Sequence, residues 1–108
     1  MTLGRLRDHA RDASRILKAM ANERRFLILC YLADGELSVG ELEKLLGISQ
    51  SALSQRLARL RTDGLVMPRP SAQNIFYSLH GDEARAIMHL LEDLIAVGDG
   101  DAMASQSA

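Results

Sequence analysis

Gln50, Ser51, Ser54, Gln55, Arg56, Arg59 and Arg61 crowd into one short stretch that contains no acid. Glutamine can pair with adenine through two hydrogen bonds, and serine can serve as donor or acceptor on any base edge. Arginine guanidinium groups suit phosphate oxygens, which position a protein on a duplex without reading its sequence. The chemistry on offer is therefore groove recognition. Elsewhere the chain shows no nucleophile and base at a recognisable spacing and no glycine-rich phosphate loop, so no enzyme is expected.

Such a stretch must be held outward, and its neighbours explain how. Ser38 to Leu46 reads as a short helix, opened by the capping box Ser38-Val39-Gly40-Glu41 and a staple of Leu37 with Leu42. Gly47 supplies the positive φ of a tight turn, and Ile48 plugs the corner. Ser49 caps a second helix through Arg61, in which Leu53, Leu57 and Leu60 recur at helical spacing and face inward. Leu65 to Arg69 and Asn74 to Leu79 read as strands around Pro70-Ser71-Ala72-Gln73. A lone hairpin is not stable, so this one must lean on the helices. Helix, turn, helix and hairpin make a winged helix-turn-helix, and a mainly α fold of about five helices with a two-stranded wing is expected.

In that frame Ser49 joins Gln50, Ser51, Ser54 and Gln55 on the side that meets base edges. Arg56, Arg59 and Arg69 are expected on phosphates, with Gln73 and Asn74 beside Arg69 near the hairpin tip, toward the backbone or minor groove.

The flanks supply core and interface. Ala10, Ala13, Ile16, Leu17 and Met20 have helical spacing. Asn22 can cap the next helix, whose Phe26 to Leu32 run is apolar on all sides and predicts a central core helix. Ala84, Ile87, Met88, Leu91, Leu94 and Ile95 form a wide stripe on a last helix begun by Gly81 and Asp82. This stripe either covers the monomer's own core or joins Ile16, Leu17 and Met20 in a homodimer face, which is the preferred reading because a small domain buries so little surface alone. Residues 1–97 are expected to form one DNA-binding and dimerisation domain, and residues 98–108, without apolar period, a disordered tail.

The composition agrees. The chain has 108 residues, a net charge of −1 and one cysteine. The charge divides unevenly: from Leu45 to Ser78 four arginines face only Asp63, a net +3, while from Leu79 onward Arg85 faces six acids, a net −5. Local field, not the total, governs phosphate contact. No apolar run nears the roughly 18 residues of a membrane span. The basic N-terminal stretch lacks the apolar segment of a signal peptide. One cysteine excludes an internal disulfide framework and fits a reducing cytoplasm.

Three stretches, Ala19-Met20-Ala21-Asn22-Glu23-Arg24-Arg25, Gly47 through Gln55, and Gln73-Asn74-Ile75-Phe76-Tyr77, resemble the ArsR/SmtB family of bacterial repressors. The likeness spans about residues 12–96. It implies a homodimeric winged helix on a palindromic operator, released when an inducer docks. Glu23 stands where the family often has proline, and Ala72 where it has a wing glycine. The likeness is closest to the branch that senses persulfides and other reactive sulfur, through Leu29-Cys30 and Ser49-Gln50-Ser51-Ala52-Leu53-Ser54-Gln55. That branch implies a second cysteine, which would fall at Ala96, so the dithiol switch cannot operate within one subunit. The family's thiolate metal positions are occupied by Ser38 and Gly40. Its last-helix site keeps only His89 and Glu92, since Phe76 and Ser78 cannot bind zinc and His80 would alter the geometry. No metal or cofactor is expected, and the inducer is open. Cys30 has two readings: an inert packed thiol, or a single-thiol sensor or intersubunit disulfide. The rival functions are a regulator without a small-molecule switch and a winged helix that binds a protein partner.

Overall fold

The computed structural model describes residues 3–106, with side-chain surroundings for residues 3–98. Its elements are helices α1 (Gly4–Asp8), α2 (Ala10–Met20) and α3 (Glu23–Ala33), strand β1 (Leu37–Ser38), helices α4 (Val39–Leu46) and α5 (Gln50–Thr62), strands β2 (Val66–Ser71) and β3 (Asn74–Leu79), and helix α6 (Glu83–Gln106). This is the expected winged helix-turn-helix, with one more short helix and one more strand.

Local chemistry sets the boundaries. Asn22 Oδ1 accepts from the Arg25 amide at 3.0 Å and opens α3. The Arg25 side chain reaches back to the end of α2, donating to the carbonyls of Ala19 at 2.7 Å and Lys18 at 3.0 Å. The capping box on α4 is complete: Ser38 Oγ accepts from the Glu41 amide at 3.1 Å, and Glu41 accepts from the Ser38 amide at 3.0 Å. Ser38, through its backbone amide first and then its side chain, holds the Glu41 carboxyl below its ordinary range. Gly47, at φ 64°, ends α4 in the left-handed conformation that the turn requires.

α3 passes through the middle. Its Ile28, Leu29 and Leu32 meet Leu42 of α4 and Leu53 and Leu60 of α5, all essentially inaccessible. The expectation that α3 is buried on every side is corrected: Cys30 opens into a cleft that α6 covers only in part, and Leu27 is exposed beside the Leu46-Gly47-Ile48 turn.

The sheet runs β1-β3-β2 and is antiparallel throughout. β1 was beyond sequence prediction because two residues have no period. β2 extends to Ser71, through both Pro68 and Pro70, so the expected four-residue turn shrinks to Ala72 and Gln73. An edge strand tolerates proline, whose missing N–H can face the open side. Ala72 takes φ 54°, the left-handed region that glycine enters without strain.

α6 packs on α2 and α3 through its first half, with Ala84 buried and Ile87 and Met88 against the core. Arg85 Nη1 donates to the Ala33 carbonyl at 3.0 Å and ties α6 to the end of α3. Helical backbone continues to Gln106, where the sequence predicts a tail from Gly98; Ala102, Met103 and Ala104 are good helix formers. Among the described residues no helix is long and apolar enough to cross a membrane.

Candidate nucleic-acid interface

α5 is built from strong helix formers and starts at Ser49, whose Oγ accepts from the Ala52 amide at 3.2 Å. Leu53, Leu57 and Leu60 are buried as their spacing predicts, which turns Gln50, Ser51, Ser54 and Gln55 outward, all exposed. Ser49 is exposed too, but its hydroxyl is occupied by the cap and lies 3.4 Å from Ser51 Oγ. It therefore shapes the helix start.

The wing flanks this face. Ile75 and Tyr77 of β3 line a groove of about 270 Å³ with Gln50, Ser54, Ala58 and Arg61 of α5. A neighbouring cleft of about 290 Å³ gathers Gln50 with Gln73 and Asn74 of the wing tip, and with Glu43 of α4. Gln50 thus belongs to both, and three of the predicted polar contacts converge around it.

The arginines divide differently from expectation. Arg56 is half-buried, and its Nη1 is covered with no hydrogen-bond partner among the described residues. Arg59 donates from Nε to Asp63 at 2.8 Å, and that carboxylate is largely covered. Arg69 donates from Nε and Nη2 to the two Glu36 carboxylate oxygens, at 2.9 and 2.6 Å, with its guanidinium 4.9 Å from the Phe76 ring centre. Strand residues alternate faces. Phe76 lies between Ile75 and Tyr77, which line the α5 groove, so Arg69 sits on the opposite face of the wing.

Arg61 lies outside the phosphate set expected from the sequence. It is exposed, lines the wing groove, and forms no ion pair among the described residues. The signal was present: Arg61 lies seven residues after Ser54 and three after Ala58, on one helical stripe. Ile75 also escaped, because only the sheet register shows which way it points.

The proposed dimer residues separate into three groups. Met20 is only 5% exposed and belongs to the monomer's own core, where it packs with Ala19 under α2. Ile16, Ile87, Met88 and Leu91 are half-buried. Leu17, Leu94 and Ile95 stand in solvent, joined by Leu90 and Val97, which the stripe did not include.

Cys30 lies on the wall of a separate cleft of about 270 Å³ between α3 and α6, with Phe26, Met88, His89 and Glu92. Partial burial, then the carboxylates of Asp34 and Glu92, push its thiol above the ordinary range. Among the described residues no three His, Cys, Asp or Glu side chains gather as a metal site.

Known proteins share this arrangement. Residues 22–67 match the model of a family described as bacterial regulatory protein, arsR family. Over 94 residues the chain is 54% identical to the transcriptional activator HlyU of Vibrio cholerae, spanning 87% of each. The structure of reduced HlyU from Vibrio cholerae superposes with a TM-score of 0.78 at 54% identity, over 83% of this chain and 95% of that one. The transcriptional repressor BigR from Xylella fastidiosa gives a TM-score of 0.82 at 36% identity, over 87% of this chain and 96% of that one.

Proposed function

The chain belongs to the arsR family of bacterial regulatory proteins, and from that premise we propose that it acts as a homodimer reading a palindromic operator in the cytoplasm. That it is a DNA-binding transcriptional regulator and not an enzyme follows from the family. The finer reading rests chiefly on one observation: the exposed face of α5 is free of acids, starts with Gln50 and Ser51, and opens onto the wing groove.

In this reading Gln50, Ser51, Ser54 and Gln55 reach base edges in the major groove, while Gln73 and Asn74 extend the contact from the wing. Arg61 supplies the phosphate anchor of the groove, a role the paired Arg59 fills less readily. Leu90, Leu94, Ile95 and Val97, each 58–67% exposed, support dimerisation together with Leu17. An apolar ridge of that kind seldom stays open in a soluble monomer. A twofold axis through it would present two copies of α5 to half-sites about one helical turn apart.

The dimer would repress wherever its operator overlaps a promoter, by occupying it. A regulator without a thiol switch ranks ahead of a single-thiol sensor, because a raised pKa keeps Cys30 protonated and poorly nucleophilic near neutrality. Selecting bound duplexes from a random pool tests the proposal. Two inverted half-sites are expected, and shortening the duplex to one of them should sharply weaken binding. Selection of a single, asymmetric site bound by one chain would contradict the dimer.

A further inference from the structure

We infer that Glu36 is a positioning residue of the wing: with Arg69 and Phe76 it forms a clamp across all three strands that fixes the hairpin against the body. The inference rests on the DNA-binding reading above, and it moves Arg69 from the phosphate contacts to the support of the elements that make them.

The register shows why the clamp spans the sheet. Ser38 of β1 pairs with Phe76 of β3, and Phe76 with Arg69 of β2. Opposite residues of neighbouring strands share a face, as do residues two apart on one strand. Glu36, two residues before Ser38, therefore joins Phe76 and Arg69 on the face turned away from α5. Its carboxylate reaches over the middle strand to take both donors of Arg69, in the fork geometry that arginine presents and lysine cannot. The Phe76 ring beneath the guanidinium adds a cation–π contact and limits its sideways movement.

The clamp sits where the wing most needs support. β1 is only two residues long and is the hairpin's sole strand neighbour in the body. β2 is the outer edge, paired only along its β3 side. A side-chain bridge from the β1 side to β2 bypasses β3 and restrains the hairpin as a whole. The wing's proposed contacts, Gln73 and Asn74, follow within five residues of Arg69. Holding them in place before DNA arrives avoids ordering them during binding.

Two variants test the inference, Glu36→Gln and Arg69→Lys, each measured without DNA and on the selected operator. Without DNA, amide hydrogen exchange over residues 66–79 should quicken in both, with the melting temperature nearly unchanged, as suits an exposed pair. On the operator, each should weaken binding about 3- to 5-fold, with no change in the dependence on salt. The double variant should be no weaker than either single one, because both break the same bridge. Arg69→Lys retains the charge. A phosphate contact would survive it, so wild-type affinity in that variant would overturn the clamp. Tighter binding with a steeper salt dependence in Glu36→Gln would also overturn it, by showing that Glu36 competes with phosphate for Arg69. Unchanged exchange in both variants would do the same. If the unaltered chain binds no operator, the DNA-binding reading fails while the exchange comparison still decides the clamp.

Discussion

The face of α5 beside the wing and the outer face of α6 are both exposed, yet they are opposite in kind. The first is polar and free of acids, and each end of its helix is defined by local hydrogen bonds, with Ser49 capping the start and Arg59 joined to Asp63 at the end. The second is apolar, with Leu90, Leu94, Ile95 and Val97 in solvent. A polar face is stable in water before any partner arrives. An apolar ridge is not, and its state in solution depends on another surface. The difference fits the proposal that one face waits for DNA while the other pairs with a second copy.

Breaking the apolar face should have the largest effect. Leu94→Asp with Ile95→Asp should convert a dimer to a monomer in light scattering and reduce operator affinity about 100-fold or more, through loss of the second half-site. The melting temperature should fall and lose its dependence on protein concentration, because the second copy no longer stabilises the fold by mass action. A dimer that persists would remove α6 from the interface. On the polar face, Gln50→Ala should cost about 1–3 kcal/mol on the selected operator and almost nothing on scrambled DNA. Equal loss on both would show that Gln50 does not read a base. Arg61→Gln should instead weaken all duplexes alike and lower the slope of log affinity against log salt by about one; an unchanged slope would return the phosphate role to another cation.

Smaller effects concern the scaffold beneath the polar face. Ser38→Ala should destabilise the fold by about 1 kcal/mol through loss of the α4 cap, read from the urea midpoint. The Glu41 half of that box has a pH signature. Its carboxyl pKa is lowered on folding, so its contribution is complete above the ordinary value of 4.5 and fades as pH falls through the depressed one. Glu41→Gln should therefore flatten the acid limb of the stability curve and leave its shape above pH 6 unaltered. Last, Ala72→Gly should raise the melting temperature slightly by relieving a left-handed φ, a gain of about 1 kcal/mol at most.

Local signals were the legible ones. The capping box at Ser38 and Glu41, the turn at Gly47, and the inward stripe of Leu53, Leu57 and Leu60 involve residues within a few positions of one another, and each stands where the sequence puts it. Pairings between distant residues were not legible. Glu36 and Arg69 are 33 positions apart, and only the β1-β3-β2 register brings them together, so Arg69 looked like a free cation. Cys30 looked buried because Phe26 to Leu32 is apolar throughout, and spacing cannot tell how much of a helix its neighbours cover. Met20 fits a helical stripe equally well in a core or an interface, and the packing of α2 places it in the core. α1 has no side-chain cap to announce it.

The central claim is that the outward face of α5 enters the major groove. Cys30 is the only thiol, so a chain carrying Cys30→Ser and Ser51→Cys can hold a DNA-cleaving iron chelate at one known point on that face. Cleavage of the selected operator should fall in two clusters about one helical turn apart, related by the operator's twofold axis. A chain that still shifts the operator but cuts it evenly along its length, or not at all, would contradict the account.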